Sequence, residues 1–301
     1  MLSVTILGNN SAVPAFNRHP TSQIVTHDGT NYLVDCGEGT QIQMIKYRIR
    51  RGKISRAFIS HLHGDHYFGL VGLITTFGLL NHKQELHVYG PEPLQQIIEM
   101  QLKVAETHLP YPLHFHTFTE NTVLVDDDKI RIKCFKTNHR IQCFGFSFEE
   151  KMSKRKLLID RVRRYDIPVS FYSSLQLGLD YITPKGDLIK NDEVTAAPEK
   201  GKRYAFCADT KYDESIIEHI YGADMIYHET TYLDNLREQA EQRFHCTSKQ
   251  AALIAKKAMV NKLLIGHFSS KYNSLDSFAD EAKEIFPNTE LAMEGVTYEL
   301  H

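Results

Sequence analysis

"FISHLHGDHYFGL", residues 58–70, packs three histidines and an aspartate into six positions: His61, His63, Asp65 and His66. The apolar run "RAFIS" (56–60) reads as a buried strand, and a helical pattern begins at Tyr67. A loop at the end of a strand can project several side chains into one cleft. Gly64 lets the backbone turn tightly between them. Neutral imidazoles and one carboxylate suit zinc, and the absence of thiolates argues against a structural cysteine-rich site. One motif cannot close the shells of two metals. Further ligand types follow other apolar runs: His139 after "IRIKCFKTN", Asp209 after "RYAFCA" and His267 after "KLLIG". Alone, each reads as a hydrogen-bonded structural residue. Together they make seven ligands at four strand ends. That is enough for two metals if one carboxylate bridges and water fills the gap. A water shared by two cations loses its proton near neutral pH and becomes a nucleophile.

The 301 residues suffice for one large domain or two smaller ones. Composition is ordinary, 42% hydrophobic and 24% charged. No run of about 18 apolar residues predicts a membrane helix. The start, "MLSVTILGNN", reads as a strand and turn, not a signal peptide. The five cysteines are scattered with no C-x-x-C, so a reduced, cytoplasmic protein is expected. Further strand patterns lie at 3–7, 23–27, 31–35, 86–90, 130–136, 143–149, 225–229 and 290–294. Helical patterns lie at 39–48, 66–80, 91–105, 213–220, 247–260 and 275–285. The last two open at Thr247 or Ser248 and at Ser274. Early strands follow one another and later ones alternate with helices, which predicts a layered α/β sandwich. Residues 150–200 are charged and without clean periodicity, and read as an insertion within a single domain spanning 1–301. The net charge of -2 announces no polyanionic partner. Two basic runs, "KYRIRRGKISR" (46–56) and "KMSKRKLLIDRVRR" (151–164), could hold phosphates, although solvated helix faces are the commoner fate of such runs.

With these residues the whole chain resembles the metallo-β-lactamase superfamily. The resemblance implies an αββα sandwich with a dinuclear site at one edge of its two sheets. His61, His63 and His139 would hold the first zinc, Asp65, His66 and His267 the second, and Asp209 would bridge them. Within the superfamily, "LGNNSAVPAFNRHPTSQ" (7–23) and "LVDCGEGTQIQM" (33–44) resemble the opening of the ribonuclease Z family, endonucleases that trim transfer-RNA precursors at the 3′ end. "YHETTY" (227–232) resembles its His-Glu-Ala-Thr segment, with Thr230 where alanine is usual. "FHCTSKQAA" (244–252) resembles its His-Ser-Thr segment, with Cys246 in place of serine. "GHFSSKY" (266–272) also matches, with Lys271 where arginine is usual.

This resemblance implies a zinc-dependent endoribonuclease that removes the 3′ trailer of precursor tRNA and leaves a 3′-hydroxyl. It implies two Zn2+ per subunit (Mn2+ or another divalent ion could substitute), a cytoplasmic homodimer and no membrane partner. Asp65 would accept the proton of the attacking water. His245 would protonate the leaving oxygen, kept charged and oriented by Glu229. The plainer reading is that His245 caps the helix near Thr247 and Glu229 is a strand-end charge. Asp35 would orient a ligating histidine, and Ser269, Ser270 and Lys271 would bind phosphate oxygens. Residues 150–200 occupy the place of the family's arm, so Lys154 and Arg155 would grip folded RNA by shape and phosphate. The arm's Gly-Pro motif is missing, and "DIPVSFYSSLQLG" stands there instead. A small-molecule phosphodiesterase or arylsulfatase would share the metals but need neither the basic arm nor the His245 loop. A non-catalytic RNA-binding homologue is the third reading, and the complete ligand set argues against it.

Overall fold

Apolar strands pair into two seven-stranded sheets in the computed structural model, which describes residues 2–198 and 200–300. The first sheet takes β1 (Leu2–Gly8), β2 (Ser22–His27), β3 (Thr30–Cys36), β4 (Ile54–Phe58), β5 (Leu86–Gly90) and β6 (Leu113–Thr117). The second begins with β7 (Thr122–Asp126), β8 (Ile130–Lys136) and β9 (Phe144–Glu150). Four two-residue strands follow in the inserted segment: β10 (Lys156–Leu157), β11 (Tyr181–Ile182), β12 (Leu188–Ile189) and β13 (Thr195–Ala196). The second sheet then resumes with β14 (Arg203–Cys207), β15 (Met225–Glu229), β16 (Leu263–Gly266) and β17 (Thr289–Leu291), and β18 (Thr297–Glu299) returns to pair with β1.

The sheet orders are β18-β1-β2-β3-β4-β5-β6 and β17-β16-β15-β14-β9-β8-β7. From β3 to β6 and from β14 to β17 neighbours run parallel. Parallel strands turn their carboxyl ends to one edge, where open α/β sheets gather functional loops. The inner faces meet through aromatic rings: Phe58 lies 5.6 Å from Phe146 and 5.7 Å from Phe148.

Helices cover the outer faces, as the αββα expectation requires. On the first sheet lie α1 (Thr40–Lys46), α2 (Gly64–Tyr67), α3 (Leu70–Leu79) and α4 (Pro93–Val104), with Met44, Leu73, Ile74, Phe77, Leu94 and Ile98 buried. The inserted segment contains α5 (Ile159–Arg164), α6 (Tyr172–Gln176) and α7 (Asn191–Val194). After it come α8 (Ile217–Ile220), α9 (Arg237–Gln242), α10 (Ser248–Lys257) and α11 (Asp276–Ile285). Ala251, Ile254, Ala255, Phe278 and Ala282 carry the core of that layer. Thr247 caps α10 in a reciprocal box with Gln250. The Ser274 hydroxyl accepts from the Asp276 N–H at the start of α11.

Three local readings change. The helix expected over 66–80 is two helices, and the first already starts at Gly64, so Asp65 and His66 sit in a helical turn. The break falls at Gly69, where a Cβ would lie 2.3 Å from the Gly37 carbonyl oxygen. The basic runs are not continuous helix faces: 46–56 spans the end of α1, a turn and β4, and 151–164 spans loop, β10 and α5. Edge strands β6 and β7 escape sequence reading because their side chains are mostly half-buried or exposed.

The chain divides into two compact units. The larger comprises Met1–Asp126, Arg131–Glu149 and Lys202–His301, and the smaller Asp127–Ile130 with Glu150–Gly201. The smaller has its own core of Val162, Ile167, Leu175, Ile189 and Val194. Buried Asn191 laces it, donating to the Leu175 carbonyl at 2.8 Å and that of Leu179 at 2.9 Å. No helix among the described residues is long and apolar enough to cross a membrane. All five cysteines are free and buried.

Candidate metal centre

Imidazole nitrogens converge at the carboxyl edge of the sheets. His61 Nε2 lies 3.0 Å and His139 Nε2 3.1 Å from His63 Nδ1. His66 Nε2 and His267 Nε2 stand 3.3 Å apart, with Asp65 Oδ2 at 3.6 and 3.5 Å from them. Asp209 stands between the two groups. Its Oδ2 is 3.7 Å from His61 and 3.9 Å from His139, and its Oδ1 is 3.5 Å from His66 and 3.3 Å from His267. Zinc–nitrogen bonds of ~2.0–2.1 Å in a tetrahedron place neighbouring donors about 3.3 Å apart. Asp209 Oδ1 is buried without a hydrogen-bond partner, a costly state that a cation would relieve. The residues therefore fit divalent metal.

The other ring nitrogens fix the tautomers, the arrangement metal-ligating histidines use. Asp35 Oδ2 accepts from His66 Nδ1 at 2.7 Å. The Ser60 hydroxyl donates to Asp35 Oδ2 at 2.8 Å and accepts from His61 Nδ1 at 3.0 Å. The Phe244 carbonyl accepts from His139 Nδ1 at 2.9 Å, and the Thr231 hydroxyl from His267 Nδ1 at 2.9 Å. Each of these four rings presents Nε2 to a gap. His63 alone presents Nδ1.

Local backbone aims these groups. Pairing of β2 with β3 slips between Val34 and Cys36, leaving Asp35 as a bulged residue at φ 54°. Such a bulge re-aims a side chain, here toward His66. His267, just past β16, also takes a positive φ, of 60°. Gly64 does not. Its φ is not left-handed, and a Cβ there would meet the Phe68 ring at 2.2 Å, so glycine supplies space and not a turn.

Electrostatics prepare the donors. Burial and the neighbouring His66 depress His61 well below the ordinary imidazole range despite Asp209. Burial and His139 lower His63 to about 4. Burial opposes charging of Asp65 and Asp209, yet the surrounding imidazoles hold both carboxyls below the usual range. Burial also opposes charging of His66, but Asp209, Asp65 and Asp35 outweigh it and raise its pKa. An incoming cation would displace that proton.

A second pair adjoins the metal ligands. Buried Glu229 ends β15, and its Oε1 accepts from His245 Nδ1 at 2.9 Å. The Cys246 and Thr231 N–H groups also donate to this carboxylate, each at 2.9 Å. Burial alone would lower the His245 pKa, but Glu229 outweighs it and raises it to about 9. His245 does not cap α10, because Thr247 fills that place.

A cavity of about 650 Å³ opens over these groups, lined by His63, Asp65, Asp209, His245 and His267. Ser269, Ser270 and Lys271 also line it, where the sequence reading put them, together with Arg140 and Arg243, which that reading missed. Arg140 Nη2 lies 3.2 Å from His63 Nε2. Were Nδ1 to hold a cation, Nε2 would keep the proton and could not accept from Arg140, which would leave the guanidinium to the cavity. Lys154 and Arg155 belong to the smaller unit. Lys154 is exposed. Arg155 is instead tied within that unit, pairing with Asp192 and donating to Thr195 Oγ1 at 2.8 Å.

Residues 2–159, just over half of the chain, match the family model of the anti-Pycsar protein Apyc1. Relatives cover nearly the whole length. Ribonuclease Z of Parabacteroides distasonis is 39% identical over 295 residues, 97% of each chain. Ribonuclease Z of Cytophaga hutchinsonii is 40% identical over 298 residues, 97% of this chain and 94% of that one. Among solved structures, the short form of human tRNase Z superposes with a TM-score of 0.75 at 25% identity, covering 99% of each chain. A Bacillus subtilis protein of the metallo-β-lactamase fold superposes with a TM-score of 0.69 at 19% identity, covering 99% of this chain and 100% of that one.

Proposed function

This chain belongs to the ribonuclease Z family, its first half falling also within the Apyc1 family, and from that membership we infer how its own residues carry the reaction. It is a metal-dependent endoribonuclease that processes the 3′ ends of precursor tRNA. The observation that carries the site assignment is the 2.9 Å Glu229–His245 pair opening on the same cavity as the ligand groups that flank Asp209.

Our reading gives the first cation to His61, His63 and His139, the second to Asp65, His66 and His267, and the bridge to Asp209. Seven donors around two gaps support two ions per chain, and imidazole with carboxylate supports zinc. When bound, the cations would generate a nucleophile from water at neutral pH and neutralise phosphodiester oxygens. Asp65 turns Oδ2 to the second gap, where it also accepts the Ala12 N–H at 2.7 Å. Its Oδ1 is the atom assigned to take the proton of the attacking water. Ser269, Ser270, Lys271 and Arg140 hold the scissile phosphate, where fixed donors stabilise the charge that builds in the transition state. With Nδ1 engaged by Glu229, His245 delivers the proton on Nε2 to the leaving 3′ oxygen. Water thus adds to the phosphodiester, and the mature RNA leaves with a 3′-hydroxyl.

Lys154, at the basic start of the inserted segment, is assigned to the RNA backbone. Arg155 holds that segment's own structure. The family resemblance extends the proposal to a homodimer working in the cytoplasm. The test is turnover on a precursor with a short 3′ trailer. Zinc- or manganese-loaded protein is expected to cleave it, and Asp65→Ala to abolish cleavage. No cleavage with metal supplied, or full activity in Asp65→Ala, would sink the reading.

A further inference from the structure

Another group of histidines stands apart from the catalytic centre. β5 and β6 pair in parallel with His87 opposite His114 and Tyr89 opposite His116. Residues two apart on a strand share a face. His87 on β5 and His114-x-His116 on β6 therefore share a patch at the free edge of the first sheet, and Glu85, the residue just before β5, joins it through its contacts with His87 and His114. The His87 and His114 rings stack with centroids 4.9 Å apart. Glu85 Oε2 lies 3.4 Å from His87 Nε2 and 3.7 Å from His114 Nε2. On the other side of the ring, His87 Nδ1 is 2.9 Å from His116 Nε2. His116 stacks on Tyr89 at 4.4 Å, and Tyr89 on buried Phe58 at 4.8 Å, so its ring is fixed from below.

We propose that Glu85, His87 and His114 bind one borderline divalent transition-metal cation of the Zn2+ class, with His116 as the outer partner that orients His87. His116 Nε2 accepts the His87 Nδ1–H, which leaves His87 Nε2 free to ligate, the division of labour seen at the catalytic histidines. Two imidazoles and one carboxylate with an open position suit zinc, and no thiolate is present to favour a softer ion. The oxygen-to-nitrogen separations match those between Asp65 and its histidine neighbours, 3.5 and 3.6 Å. The side chains of Glu85 and His114 are 59% and 45% exposed, so they are free to close on an ion. Arg56 pairs with His87 from β4, so it lies one strand away from the gap between His87 and His114. An ion there would cross-link the edge strand β6 to its neighbour.

Counting ions per chain tests this. Full-length protein is dialysed against Zn2+ and analysed by mass spectrometry of the metal, beside Glu85→Gln/His114→Gln and His116→Phe. Wild type is expected to carry one ion more than the double variant, whose turnover on precursor RNA stays unchanged. His116→Phe is expected to bind that ion roughly 10–100-fold more weakly. Equal ion counts in wild type and double variant overturn the proposal. So does loss of more than one ion in the double variant, which would tie the patch to the catalytic centre. His114→Gln alone repeats the count with a half-exposed side chain whose loss leaves the core untouched. The count is independent of the ribonuclease reading, because a chain inactive on RNA would still carry the extra ion.

Discussion

Glu229 accepts five hydrogen bonds, from His245 Nδ1, the N–H groups of Thr210, Thr231 and Cys246, and the Thr231 hydroxyl. In the proposed mechanism its charge makes His245 an acid. An acid works protonated, so turnover should persist below the His245 pKa and fall as pH rises through it. Glu229 is the largest influence raising that pKa, to about 9, against the opposing effect of burial. Glu229→Gln removes the charge, so the alkaline limb of kcat should move to lower pH. A pH–rate profile of both proteins checks this, and an unmoved limb would contradict the assignment. Asp35 touches His66 Nδ1, and in the proposal it acts one step further from the chemistry, through that ring. Asp35→Asn should weaken metal binding by roughly 10–100-fold, read by competition with a chelator. Binding as tight as wild type would remove Asp35 from that role. The histidines and aspartates that the structure gathers, and their positions after strands, were legible in the sequence. Thr231, Arg140 and the Phe244 carbonyl were not, because their roles exist only in the fold. His139 and Phe244 lie 105 residues apart in sequence, and a carbonyl oxygen has no letter of its own.

At the scale of elements, sequence legibility followed burial. Strands β8 and β15 match their expected runs residue for residue, β15 because it is buried throughout and β8 because buried residues alternate with half-buried ones along most of its length. The β3 bulge left no such mark, because one extra residue does not disturb an apolar run. The division between α2 and α3 was equally hidden: periodicity continues across it, and only the approach of the Gly37 carbonyl demands a break. Two glycines in this stretch therefore predict different outcomes. A Cβ on Gly69 would lie 2.3 Å from Gly37 O and 3.0 Å from Cys36 O, both fixed backbone beside Asp35. Gly69→Ala should cost about 1–3 kcal/mol, the usual range for overpacking. At Gly64 the obstacle is the Phe68 ring, which is 61% exposed and can swing away. Gly64→Ala should cost distinctly less. Denaturant unfolding of the two variants decides it, and equal losses would show that Phe68 is held more firmly than its exposure implies.

For the whole molecule, the proposal assigns cutting to the larger unit and the grip on RNA to the inserted segment. The break in periodicity over 150–200 was visible in the sequence. Its core was not, because Val162, Ile167, Leu175, Ile189 and Val194 follow neither helical nor strand spacing. The segment leaves and re-enters at neighbouring points: a Cβ on Gly201 would lie 1.9 Å from the Glu150 carbonyl oxygen. On either side, β9 and β14 are antiparallel partners, with Glu149 opposite Arg203. Replacing residues 151–200 with a short turn would therefore convert that pair into a hairpin, a connection antiparallel strands accept readily. The seven metal donors and the Glu229–His245 pair all belong to the larger unit, which holds the two large sheets. The excised protein should keep its metal content and hydrolyse a simple phosphodiester within a few-fold of wild type. Its kcat/KM on precursor tRNA should fall at least about 100-fold, since backbone contacts supply much of the affinity for folded RNA. The loss should shrink as salt is raised, because the wild type gives up the same contacts to screening. Loss of both activities together would mean that the segment supports the catalytic unit itself, and undiminished turnover on tRNA would mean that the grip on RNA lies elsewhere.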